Sequence, residues 1–222
     1  MTDESAPPAI RERGRDISRV EGFADCAFGF AVTLLVVSLD VPRSFDGLVA
    51  ALRGIPSFGV SFAVLAWIWY AQFRFFRRYG LEDTRTVLLT LLLLFVVLCY
   101  VYPLKFLYAV SLGGVAISDQ DLRLLFAIYG LGLAATFAVM ALMHANAYRQ
   151  RDALGMDQVE RAVTRVAVAE QLGVASIGLL SAALVWLPVG QYAFFLAGFA
   201  YCLNGVVYSV GARRRRALLR PA

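Results

Sequence analysis

Four stretches of this chain, residues 54–73, 86–104, 124–148 and 171–212, contain no Asp, Glu, Lys or Arg. A helix needs about 20 apolar residues to cross the hydrocarbon core of a bilayer, so each of the first three runs is the length of one crossing. The fourth is double length, and Trp186-Leu-Pro-Val-Gly-Gln191 interrupts it with residue types that end helices and sit at membrane interfaces. It reads as two spans joined by a tight hairpin. Sixty per cent of the residues are apolar, 17% are charged and the mean hydropathy is +0.68, too oily for a water-soluble domain of 222 residues. Adding the apolar segment that begins near Arg19 predicts an all-α membrane protein with six transmembrane helices per chain.

The basic residues set an orientation. If the N-terminus is cytoplasmic, the inside segments hold 17 of the 21 Lys and Arg, leaving Arg43, Arg53, Lys105 and Arg123 outside. Both termini are then cytoplasmic. The expected location is the cell membrane, crossed several times. Residues 1–16 mix charges and prolines with little apolar content and read as a disordered cytoplasmic tail. Residues 17–212 form the six-helix transmembrane domain, and 213–222 a basic cytoplasmic tail. Arg213–Arg216 follow a span directly, so they read as an anchor touching anionic lipid; no nucleic-acid partner is expected. The first apolar run carries no signal-type cleavage site and should stay in the mature protein.

Enzyme chemistry finds little support. A single histidine, His144, with no His-Glu-x-x-His arrangement argues against a hydrolytic zinc site, and neither a Gly-x-Ser-x-Gly elbow nor a Gly-x-x-x-x-Gly-Lys loop is present. No cofactor is expected. Gly130-Leu-Gly132-Leu-Ala-Ala135 imitates a dinucleotide fingerprint but lies inside an uncharged span. Gly130, Ala134 and Ala138 there form a small-residue ridge against which another helix can close. Cys26, Cys99 and Cys202 fall in spans and read as small buried hydrophobes. Tyr70 and Gln72 bring polar atoms into the second span, where hydrogen bonds to an adjacent helix are expected; His144 reads similarly.

The opening span carries charges at its threshold, each costing roughly 2.5–3.5 kcal/mol in the bilayer unless paired or hydrated. At 100° per residue, Cys26, Phe30, Thr33, Leu34 and Val37 lie on one stripe, each within about 60° of Phe30, while Asp25 points about 140° away. Asp25, with Phe23 and Arg19, reads as seating the helix foot on its neighbours. The stripe is either core or a free face, and Thr33 either bonds back to its own helix or offers its hydroxyl elsewhere.

Arg19-x-x-x-Phe23-Ala24-Asp25 resembles the Arg-x-x-x-Phe-Ser-Asp signature that opens the first helix of the transmembrane protein 175 family of lysosomal potassium channels and their smaller prokaryotic relatives. The resemblance extends to six spans, a Thr-Leu-Leu-Val run, the Asp40-Val-Pro42 ending, cytoplasmic termini and nearly the whole chain length. It implies a potassium-channel fold without a carbonyl filter, a homotetramer with a pore lined by the first helix, and no Thr-Val-Gly-Tyr-Gly loop, which this chain also lacks. Carried over position by position, it places a pore constriction at Phe30, narrow apolar rings at Leu34 and Val37, selectivity at Thr33, and the structural signature at Arg19, Phe23, Ala24 and Asp25. Ala24 stands where the signature has serine, and Phe30 where isoleucine or leucine is usual. The function implied is a moderately selective potassium leak channel in contact with membrane lipids. The alternative is a proton or ion transporter using Asp25, Glu170 or His144 inside the membrane, and a non-conducting scaffold is a third reading.

Overall fold

The computed structural model describes residues 11–14, 16–37, 43–53, 55–111, 117–190 and 192–219. Those residues form eight helices and no strand: α1 (Arg19–Val37), α2 (Phe45–Arg53), α3 (Ile55–Tyr79), α4 (Thr84–Ser111), α5 (Asp119–Arg149), α6 (Gln158–Leu184), α7 (Tyr192–Ala200) and α8 (Leu203–Leu218). The all-helical class expected from the uncharged runs is what the chain adopts. Among the described residues, four segments are long and apolar enough to cross a membrane: Thr84–Leu104, Asp119–Arg149, Gln158–Leu184 and Tyr192–Leu218. Helices α1 and α3 are charged at one end, with Arg19, Glu21 and Asp25 on α1 and Arg74, Arg77 and Arg78 on α3.

The outer surface is apolar. Leu88, Phe95, Leu131, Leu142, Phe195 and Phe199 are exposed on α4, α5 and α7. Water would penalise such a surface, whereas lipid tails solvate it, so an exterior of this kind suits a chain that crosses the bilayer. Inside, Phe28, Ala31 and Leu35 of α1 meet Leu65, Ile68 and Phe75 of α3, Leu93 and Val97 of α4, and Phe137, Met140 and Met143 of α5 in one buried cluster. Rings knit α3 to α5, with Trp67 and Phe137 4.6 Å apart between centroids.

The small-residue ridge on α5 closes as expected. Gly130 opposes Gly178 of α6: an added Cβ on Gly178 would stand 2.5 Å from the Gly130 carbonyl oxygen and 2.9 Å from Ala134 N. Backbone meets backbone there, which only residues without bulk permit. Near the start of α4, the Asp83 carboxylate accepts from the Thr86 hydroxyl at 2.5 Å and from Asn146 Nδ2 of α5 at 3.3 Å. Burial opposes its charge, but the bonds from Thr86, Gln150 and Asn146 prevail and hold the carboxyl below its ordinary range.

Several expectations need correction. The tail expected to be disordered over 1–16 is docked at Arg11–Gly14; residues 1–10 lie outside the described residues. Gly14 N donates to the Arg77 carbonyl at 3.1 Å, and the Arg13 guanidinium forks onto Glu160 of α6 at 2.8 and 2.9 Å. Gly80, at φ +57°, ends α3 in a left-handed turn and lets the segment pass close by, since a Cβ there would lie 3.0 Å from Gly14 N. The expected basic tail from 213 is helical through Leu218, because α8 simply continues through Arg213–Arg216. The last span is tightened rather than uniform: between α7 and α8, the amides of Tyr201, Cys202, Asn204 and Gly205 each bond three residues back. All three cysteines are exposed and free, not buried. The hairpin at Trp186 is a turn joining α6 to α7, as expected, with Gly190 at φ +62°.

Candidate functional site

Helix α1 begins at a polar foot. Ser18 Oγ accepts from the Glu21 amide at 3.1 Å, an N-terminal cap whose Ser-x-x-Glu spacing is readable in the sequence. One turn on, Asp25 Oδ1 accepts a 2.7 Å hydrogen bond from Trp69 Nε1 of α3. This contact, rather than one from Tyr70 or Gln72, joins the two helices: Tyr70 is exposed and stacks on Phe73, and Gln72 is buried with Nε2 unpartnered. The indole was the better sequence clue, because a Trp donates one hydrogen bond and accepts none, so in lipid it seeks an acceptor such as Asp25.

Replacing Trp69 by Phe keeps the ring and removes the donor. We expect Trp69→Phe and Asp25→Ala each to destabilise the protein by about 1–2 kcal/mol, with the double variant little worse than either single one. Thermal unfolding of the four proteins in detergent checks this; strictly additive losses would mean the bond contributes nothing.

Beyond the foot, α1 has two unlike faces. Ala24, Phe28, Ala31 and Leu35 are buried against α3 and α4. On the other side Cys26 and Thr33 are exposed, Phe30 is 59% exposed, and Leu34 is half-buried against the core. Val37 closes the helix, and its side chain lies outside the described residues, as does the Asp40-Val-Pro42 ending. Phe23 is 57% exposed and Arg19 is exposed, so within one chain only Asp25 among these three seats the foot. The reason is geometric. Arg19 and Phe23 precede Phe30 by eleven and seven residues, about three and two turns, which returns both to the Phe30 stripe. Ala24, the small residue of the signature, is the one that packs inward.

The polar atoms of that stripe are few. The Thr33 hydroxyl donates to the Gly29 carbonyl at 2.9 Å, the bond back to its own helix. With its proton so committed, the lone pairs of the hydroxyl oxygen are left for a donor or a cation outside the helix.

The other ionisable groups in the bundle do not gather around Asp25. Glu170 of α6 is buried and pairs with Arg215 of α8, and Nδ1 of the buried His144 donates to the Met140 carbonyl of its own helix at 2.9 Å. His144 thus does not reach a neighbouring helix by that bond; Phe75 and Tyr79 meet its ring edge-on. Glu170 and His144 line one cavity, whose wall does not include Asp25.

Comparison with known proteins extends the resemblance carried by the foot of α1. A family model described as endosomal/lysosomal potassium channel TMEM175 matches residues 19–100. A protein from Marivirga tractuosa named "Potassium channel" is 37% identical over 213 residues, covering 88% of this chain and 86% of the relative. A crystal structure of a variant of the potassium channel MtTMEM175, solved in complex with a nanobody–MBP fusion, superposes with a TM-score of 0.79 at 36% identity, over 94% of this chain and 97% of that one. What begins as a short signature at the start of one helix is therefore a likeness of nearly the whole architecture, and the chain belongs to the TMEM175 family, whose matched relatives are potassium channels.

Proposed function

We propose that four copies of this chain surround an axis lined by the exposed face of α1 and let potassium leak through the cell membrane with moderate selectivity. The observation that carries the reading is the uncovered stripe of α1, on which Phe30 and Thr33 stand free of any partner helix of their own chain. In this arrangement α1 and α3 cross the membrane together with α4, α5, α6 and the α7–α8 pair, giving six spans with both termini cytoplasmic. Four Phe30 rings form an apolar constriction that closes by dewetting, and Leu34 and Val37 narrow the path further outward. Thr33 follows Phe30 by one turn, and four hydroxyl oxygens replace part of the hydration shell of an ion. Potassium sheds its water more readily than sodium, so such a ring favours it; a single ring of hydroxyls makes the preference modest. Arg19 and Phe23 share the stripe and are placed to meet a neighbouring copy, which is how they would serve the foot of the pore.

Flux through liposomes containing the purified chain tests this. Phe30→Ala removes the constriction, and since each 1.4 kcal/mol of barrier is a factor of ten, we expect potassium flux to rise about tenfold or more. Thr33→Ala should lower the potassium-to-sodium ratio while flux persists. A correctly assembled Phe30→Ala protein that passes no potassium would sink the proposal, and an unchanged ion ratio would remove Thr33 from it.

A further inference from the structure

At the arginine-rich end of the bundle, Trp67, Arg74 and Arg78 of α3, His144 of α5, Glu170 and Gln171 of α6, and Tyr208 and Arg215 of α8 contribute to the wall of a cavity of about 240 Å³. On that measure one water needs only roughly 10–15 Å³, so the space admits a polyatomic guest together with solvent. The wall carries three guanidinium groups and one carboxylate. That carboxylate, Glu170, is already engaged by Arg215. Arg74 and Arg78 are left as like charges four residues apart on one helix, an arrangement that is unfavourable by itself. Arg78 Nη2 is fully buried and has no hydrogen-bond partner. A buried, unpaired guanidinium nitrogen is costly to maintain, and the Arg78 side chain that carries it belongs to the cavity wall.

We propose that this cavity binds a phosphate-type oxyanion, with Arg78 as its principal ligand and Arg74 at the rim. The chemistry fits on three counts. A guanidinium presents donors in a planar fork matched to the oxygens of a phosphate. The excess of positive over negative charge on the wall is what a di- or monoanion would neutralise. Trp67, Ala71 and Ala167 give the wall an apolar flank, beside which a charge-charge contact is weakened less than in open water. The same recognition suits a free phosphate entering from solution or the headgroup of a phospholipid whose tails lie along the apolar helices, and the site stands whether or not α1 lines a pore.

The test uses the full chain in detergent, unfolded thermally at constant ionic strength with inorganic phosphate replacing chloride, and separately with dioleoyl phosphatidic acid against dioleoylglycerol, which has the same tails without phosphate. A hundredfold excess over Kd should raise Tm by about 5 °C, saturably. Arg78→Gln should abolish the shift, Arg78→Lys retain part of it, and Arg74→Gln, an exposed rim residue that leaves the fold intact, weaken apparent affinity about tenfold. Arg149→Gln, outside the cavity, should change nothing. A response to inorganic phosphate supports a free anion, and a response to phosphatidic acid alone supports a lipid headgroup. If neither probe gives a saturable shift, or if the shift survives Arg74→Gln and Arg78→Gln undiminished, the cavity holds only water and the proposal fails.

Discussion

Gly178→Val is expected to yield no stably folded protein. The added Cβ would come within 2.5 Å of the Gly130 carbonyl oxygen and 2.9 Å of Ala134 N, and neither is the end of a side chain that can rotate away. Relief requires α5 and α6 to move apart. In lipid no hydrophobic effect drives two helices together, so close van der Waals packing supplies most of the association, and separating this seam forfeits it. Overpacking commonly costs about 1–3 kcal/mol when side chains yield; against rigid backbone along two long helices the loss should exceed that range. Gly205→Ala on α8 is the control, because a Cβ there meets no atom within 4 Å and should be neutral or slightly stabilising. Size-exclusion profile and Tm in detergent decide the matter; a monodisperse Gly178→Val protein with unchanged Tm would mean that the seam is not as close as it stands here.

That seam was readable in the sequence for the same reason that most of the helices were. Charge is so unfavourable in hydrocarbon that uncharged runs mark α3, α4 and α5 almost directly, and a four-residue spacing of Gly130, Ala134 and Ala138 inside one of them leaves little else for the small residues to do. The two-faced character of α1 also followed from 100° per residue. The same arithmetic assigns Arg19 and Phe23 to the Phe30 stripe, away from Asp25, although they are its neighbours in sequence.

What was hidden falls into two physical kinds. A hydrogen-bond partner is a choice among several donors at similar depth, and only packing selects Trp69 over Tyr70 or Gln72 for Asp25. Helix continuity is likewise decided by neighbours. Arg213–Arg216 carry a full set of charges, yet α8 extends through them, with Arg215 turned back to Glu170 and the others exposed. Long arginine stems can lie along a helix while their heads reach polar surroundings, so a charge run need not end a span. The docking of the N-terminal segment is hidden for a related reason: its few apolar residues indicate no core of its own, but it needs none when its charges dock onto a finished bundle.

Glu160→Ala should release that docking and destabilise the whole protein. The Glu160 carboxylate is only 5% exposed and serves three partners: the Arg13 fork at 2.8 and 2.9 Å, the Arg11 amide at 3.3 Å and, through its capping box with Asp157, the start of α6. Arg13, itself 17% exposed, also donates from Nε to the Leu154 carbonyl, and its hydrogen bonds to Glu160 raise its pKa above the ordinary value. Removing the carboxylate leaves a largely buried guanidinium without its counter-charge, for which losses of about 3–5 kcal/mol are usual. In a chain of this size that is a fall in Tm of roughly 10 °C. Glu160→Gln separates the two roles, since glutamine can still close the capping box but cannot neutralise Arg13; it should recover the smaller part of the loss. A local readout completes the test. With the strap freed, trypsin should cut after Arg11 or Arg13 in Glu160→Ala much faster than in the parent protein, where the backbone of Gly14 is held against Arg77. If Tm stays within a degree and cleavage is no faster, the segment is held by its glycine-to-backbone contacts at Gly14 and Gly80, and the ion pair is incidental.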